Sequence, residues 1–263
     1  MILDIPWNVN PEIFHFGRFA IRWYGLLFAS SFFFGYLIMA RFFKTEKVPE
    51  AVLDRLTLYM ALGTIIGARL GHCLFYEPGY YLSNPLEILM VWHGGLASHG
   101  AGIGIFIALY LFAKKSKKSY LWILDRVSVV VALSGFFIRT GNLMNSEIYG
   151  VETNLPWGFV FLRNGETMPK HPTQIYEALV YLFVFILLYY IYKRNQGVFK
   201  PGLLFGLFMI FVFAFRFIVE FIKNDQVVFE SGMILNMGQW LSIPFVLFGI
   251  ILLFFVLKKP MPE

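Results

Sequence analysis

The sequence predicts an all-α polytopic integral membrane protein, and three observations carry that reading. Hydrophobic residues fill 58% of the 263 positions and charged residues only 14%, whereas soluble domains carry about 25% charged residues. Apolar runs recur at about 20 residues, the length that crosses a bilayer as a helix. Lysine and arginine crowd into alternate connecting segments, the pattern that orients membrane helices.

Seven spans are expected, at about 19–40, 53–73, 96–113, 122–141, 174–192, 202–222 and 236–257. The second and fourth are the weakest, since they hold Arg69 and Arg139. The opening MILDIPWNVNPEIFHFG has no basic n-region and no small-residue cleavage site, so the first span is expected to be retained. No internal repeat is evident, which argues against an inverted-repeat transporter. Fourteen of the 22 basic residues fall on one side, in groups around Lys44, Lys115, Arg194 and Lys258. That side is expected to be cytoplasmic, with the N-terminus out and the C-terminus in. The net charge of +6 then reports topology and not nucleic-acid binding. The single Cys73 reads as a small buried hydrophobe and excludes an internal disulfide.

The chain reads as one membrane domain, 1–263, with outward loops at 74–95, 142–173 and 223–235. The longest, 142–173, is expected to form a small external head. Two extended runs there flank Asn164-Gly165, the strongest short hairpin signal. YYLSNPLEILMVW (80–92) reads as one interfacial helix with aromatic anchors.

Ionisable groups inside a membrane are costly and mark functional sites by default. RWYG places Arg22 and Tyr24 at the outer end of span one. HGGLASHGAGIG (93–104) brings His93 and His99 to span three, and RTGNLMNSEIYG (139–150) ends span four. HPTQIYE (171–177) opens span five, and RFIVEF sets Arg216 and Glu220 four apart on span six. On the expected topology all five lie toward the outer leaflet. Bland readings stand beside them: Arg22 as a snorkelling side chain, Arg216–Glu220 as a structural pair, Arg69 and His72 as polar glue. Two arginines at one depth imply an anion, because guanidinium matches phosphate with paired N–H groups. An anion reachable from lipid is most simply a phospholipid headgroup. A nearby histidine supplies a base that changes protonation near neutral pH. There is no metal-ligand spacing, phosphate loop or nucleophile elbow, so no metal or cofactor is expected.

These motifs, in this order and over nearly the whole chain, resemble the prolipoprotein diacylglyceryl transferase family. RTGNLMNSEIYG resembles its signature R-x-G-N-F-x-N-x-E-x-x-G, with Leu143 in place of the common Phe. The resemblance implies transfer of diacylglyceryl from phosphatidylglycerol to the lipobox cysteine of a prolipoprotein, with release of glycerol 1-phosphate, at the bacterial inner membrane. It implies roles for Tyr24, His99, Arg139, Asn142, Glu147, Gly150, Arg216 and Glu220, and His171 is added from HPTQIYE. On this reading Arg139 and Arg216 grip the phosphate, Asn142 holds a headgroup hydroxyl or orients Arg139, and Glu147 fixes the loop. His99 is the candidate base for the thiol. Many members carry tyrosine where this chain has Val212, so a phenol there is absent or supplied elsewhere, for instance by Tyr24 or Tyr176. The competing readings are a transporter or channel for an organic anion, and a seven-span receptor. The latter lacks a span-seven lysine before Lys258 for a retinal Schiff base.

Overall fold

The computed structural model describes residues 5–17, 19–224, 233–258 and 260. Arg18, Lys259 and most of the expected 223–235 loop lie outside the described residues. The chain runs through β1 (Ile5–Trp7), β2 (Glu12–Phe16), β3 (Phe19–Arg22), α1 (Trp23–Thr45), α2 (Glu50–Phe75), α3 (Pro78–Ser83), α4 (Ser98–Ser116) and α5 (Tyr120–Met144). Then follow β4 (Phe159–Phe161), α6 (Thr173–Arg194), α7 (Leu203–Val219) and α8 (Met237–Lys258). Among the described residues, six helices are long and apolar enough to cross a membrane: α1, α2, α5, α6, α7 extended to Ile222, and α8. The third expected span forms α4, where Ser98, His99, Lys114 and Lys115 dilute the apolar run. The chain divides into two compact units, Met1–Met39 with Asp125–Glu263, and Ala40–Leu124, with the boundaries falling inside α1 and α5.

In the unit Ala40–Leu124, α2 and α4 meet through glycines. A Cβ at Gly67 would lie 2.4 Å from the Gly100 carbonyl oxygen, and one at Gly104 would lie 2.2 Å from that of Gly63. Backbones this close exclude any side chain, which accounts for the small-residue spacing on both helices. Arg69 is buried at 3% exposure, and its guanidinium serves carbonyls. Nε donates to Ile88 O at 3.1 Å, while Nη1 and Nη2 donate to Gly94 and Glu87. Tyr81 covers the cation at 4.9 Å. Arg69 therefore ties the segment after α3 to α2, in keeping with its reading as polar glue. The expected single helix over 80–92 is broken instead. α3 stops at Ser83, and Asn84-Pro85 starts separate turns at Pro85–Leu89 and Val91–His93, because proline cannot continue the helical ladder. Cys73 is fully buried.

In the other unit, Asp125 at the start of α5 caps α7. Its carboxylate accepts from the backbone N–H groups of Gly202 at 2.7 Å and Phe205 at 2.9 Å, two of the donors a helix start leaves unpaired. Beside it Arg126 packs under Phe199 at 4.8 Å and donates to Gly197 O at 2.9 Å. At the other end of α5, Leu143, Phe159 and Phe161 form a small core with Trp7, Tyr149 and Ile175. Tyr149 stacks on Phe161 at 4.4 Å.

The regular hairpin expected around Asn164-Gly165 is not what forms. β4 pairs in parallel with β1, in register Ile5↔Phe159. Phe159 and Lys170 do exchange both backbone hydrogen bonds, at 3.0 and 2.8 Å, but the segment between them closes through a 3-10 turn at Leu162–Asn164. Asn164 Nδ2 donates to the Ser146 carbonyl at 2.7 Å, drawing the tip toward the loop after α5. The hairpin that does form is β2–β3, where Glu12 pairs with Arg22 at 3.1 Å.

The glycine contact gives a direct test. Gly100→Ala places a methyl 2.3 Å from Gly67 O, an overpacking that costs about 1–3 kcal/mol. Thermal unfolding in detergent is expected to shift down accordingly. An unchanged midpoint would contradict the close backbone approach.

Candidate active site

α5 carries Arg139, Gly141 and Asn142 into its last two turns. Tyr24, at the start of α1, lies against this end: a Cβ at Gly141 would sit 2.8 Å from Tyr24 Cδ2. Arg139 Nη1 donates to Asn142 Oδ1 at 3.3 Å, one helical turn on. Asn142 Nδ2 in turn donates to Glu147 Oε1 at 2.7 Å, and Asn145 Nδ2 donates to the same oxygen at 3.3 Å. Glu147 thus reaches Arg139 through an amide and not by direct contact.

After α5 the chain turns through left-handed backbone at Ser146 and Ile148. The turn is held from outside. Gln174 Nε2 donates to Glu147 O at 2.7 Å, and Thr173 Oγ1 to Ile148 O at 2.8 Å. Gly150 N donates to His171 O at 2.8 Å, and Val151 N to Ile222 O at 2.9 Å. A Cβ at Gly150 would fall 2.2 Å from the Ile222 carbonyl oxygen, so only glycine lets these strands of chain meet. His171 places Nδ1 3.3 Å from the Tyr176 hydroxyl, which accepts from Trp157 Nε1 at 2.9 Å. Burial pushes the His171 imidazole below the usual histidine value.

The arginines of α5 and α7 are joined by a buried chain of charges. Arg139 Nε lies 3.2 Å from Glu177 Oε2, and Glu177 Oε1 lies 3.0 Å from Lys223 Nζ. Lys223 Nζ lies 3.1 Å from Glu220 Oε1, which is 3.7 Å from Arg216 Nε. Asn236 Nδ2 donates to Glu220 Oε2 at 3.1 Å. The Lys223 side chain is only 2% exposed and the two glutamates 4% and 7%. Three cations alternate with two carboxylates, leaving one positive charge in excess along the chain.

The structure therefore brings together Tyr24, Arg139, Asn142, Glu147, Gly150, His171, Arg216 and Glu220 within one unit. His99 is exposed in the first turn of α4, within the unit Ala40–Leu124. Sequence reasoning included Glu177 in the HPTQIYE cluster without assigning it a specific role, and counted Lys223 only among the outward basic residues. Their signals were present: a carboxylate inside the apolar α6, and a lysine seven residues beyond Arg216 that continues the 216–220–223 helical face.

Removing one partner of a buried ion pair leaves an uncompensated charge and costs about 3–5 kcal/mol. Lys223→Met is expected to lower stability by that amount, because it strands two carboxylates. Denaturation in detergent micelles checks this; a loss below 1 kcal/mol would mean the lysine is dispensable to the chain.

The family model described as prolipoprotein diacylglyceryl transferase matches residues 11–255. A phosphatidylglycerol–prolipoprotein diacylglyceryl transferase of Tolumonas auensis is 47% identical over 254 residues, covering 96% of this chain and 98% of the relative. Proteins of the same name from Chloroherpeton thalassium and Bacteroides fragilis are 45% and 44% identical, each covering 98% of this chain and 97% and 98% of the relatives. On this match over most of its length, the chain belongs to the prolipoprotein diacylglyceryl transferase family.

Proposed function

We propose that this protein transfers the diacylglyceryl group of phosphatidylglycerol to the thiol of a lipobox cysteine in the signal peptide of a prolipoprotein. The new bond is sulfur to glycerol carbon. The bond that breaks is carbon to phosphate oxygen, and glycerol 1-phosphate leaves with the electron pair. The observation that carries this reading is the buried chain Arg139–Glu177–Lys223–Glu220–Arg216, whose excess positive charge matches an anionic headgroup. Charge on the departing phosphate grows during bond cleavage, so fixed guanidinium groups stabilise the transition state more than the bound lipid. Asn142 orients Arg139, and Glu147 holds Asn142. Tyr24, Gly150 and His171 shape the same end of the site. His99 takes the thiol proton, since the thiolate is the nucleophile.

The protein sits in the bacterial inner membrane with seven spans, α4 included, the N-terminus out and the site toward the outer leaflet. Lys44, Lys114 and Lys115, Lys193 and Arg194, and Lys258 occupy the last turns of α1, α4, α6 and α8. Alternating helices thus end basic, which supports a cytoplasmic location for those ends. An organic-anion channel would need a polar path continuing to them. Asp125 and Arg126, buried toward that end, are instead bonded to backbone groups.

Three measurements test this reading. Purified protein supplied with phosphatidylglycerol and a lipobox peptide is expected to yield a diacylglyceryl thioether by mass spectrometry; absence of product from folded protein contradicts it. His99→Gln is expected to fold and lose about 10²–10⁴-fold in turnover, and near-normal turnover would remove His99 as the base. Cysteine labelling from outside is expected to reach a probe at Asn164 and miss one at Ser116, and the reverse pattern would overturn the orientation.

A further inference from the structure

A cavity of about 10 Å³ lies beside the charge chain, lined by Glu177, Val180, Tyr181, Val212, Phe215 and Arg216. That is room for one water-sized group. Its polar lining is unfinished. Arg216 Nε and Glu177 Oε2 are buried and, beyond their ion pairs with Glu220 at 3.7 Å and Arg139 at 3.2 Å, make no hydrogen bond among the described residues. The Glu177 side chain is 4% exposed, so the lone pairs of Oε2 that Arg139 does not engage have little access to bulk solvent. Tyr181, one turn beyond Glu177 on α6, makes no hydrogen bond among the described residues either. Its ring is fixed on α5, where a Cβ at Gly135 would lie 2.4 Å from Tyr181 Cδ1. Val212 adds only an apolar wall.

The three polar groups have a definite complement. The Arg216 Nε–H and the Tyr181 hydroxyl can donate, and the Glu177 carboxylate can only accept. The group that accepts two hydrogen bonds and donates one is a hydroxyl. A phosphate oxygen would accept both but would face the carboxylate with like charge. We propose that Tyr181, with Arg216 and Glu177, forms a recognition site for a headgroup hydroxyl of the phospholipid, and that Tyr181 is a specificity-determining residue. The inference rests on the reading of Arg139 and Arg216 as the phosphate grip. It separates two anions of equal charge: a phospholipid whose headgroup carries hydroxyls completes the site, and one whose headgroup lacks them leaves the Arg216 Nε–H and the Tyr181 hydroxyl without an acceptor.

The test compares phosphatidylglycerol with phosphatidylpropanol, whose propyl headgroup has the same charge and no hydroxyl, as donors to a lipobox peptide. The wild-type protein is expected to favour phosphatidylglycerol in kcat/KM by about tenfold or more. Tyr181→Phe keeps the ring on Gly135 and removes only the hydroxyl. It is expected to lower kcat/KM for phosphatidylglycerol about tenfold while leaving phosphatidylpropanol unchanged, so the preference collapses. An equal preference in wild type and variant, or no preference in wild type, overturns the proposal and leaves the cavity to an ordered water. Arg216→Lys separates this claim from the one it rests on: slowing of both lipids upholds the phosphate grip, and undiminished turnover of both contradicts that grip and the hydroxyl site with it.

Discussion

Two buried carboxylates hold the rest of this structure in place: Glu177, shared between cations from different parts of the chain, and Glu220, shared between cations on its own helical face. An ion removed from water costs several kcal/mol unless its charge and hydrogen-bonding capacity are met. Glu177 on α6 meets Arg139 on α5 and Lys223 beyond α7, and Glu220 meets Lys223, Arg216 and Asn236. Glu177 has no cation partner on its own helix and depends on Arg139 and Lys223. The ends of α5, α6 and α7 must therefore come together for any of them to be stable in an apolar setting. The loop after α5 follows from the same constraint, since Gln174, Thr173 and His171 can reach its backbone only when α6 starts where Glu177 requires.

The opposite end of α5 is fixed by a different interaction with the same consequence. Asp125 accepts from the first backbone N–H groups of α7, which sets the height of that helix against α5. Arg139 then pairs with Glu177 and Arg216 with Glu220, and Lys223 links the two carboxylates. On the proposed reading, fixed charges of this kind would stabilise a developing phosphate charge without reorganisation.

Much of this was legible in the sequence because the membrane makes polar residues conspicuous. Arg139 and Arg216–Glu220 stood out as ions inside apolar runs, and RTGNLMNSEIYG announced a turn with its own amides and carboxylate. What sequence could not supply was partnership between elements. Lys223 looked like an outward loop charge, because its burial depends on Glu177, 46 residues earlier. Asn164-Gly165 promised a two-residue hairpin, but β1, more than 150 residues upstream, pairs with β4, and the Asn164 side chain binds Ser146 instead of serving the turn. Asn84-Pro85 was a local signal that outranked the amphipathic pattern around it.

The central claim is that Arg139 and Arg216 bind the lipid phosphate through paired N–H groups and follow it into the transition state. Lysine preserves the charge at either position and removes the planar fork. The most direct measurement is phosphatidylglycerol binding and single-turnover transfer, recorded separately for Arg139→Lys and Arg216→Lys on folded protein. The account predicts that both variants bind the lipid but lose turnover far more than affinity. Full turnover in both would contradict it and reduce the pair to a general electrostatic attraction.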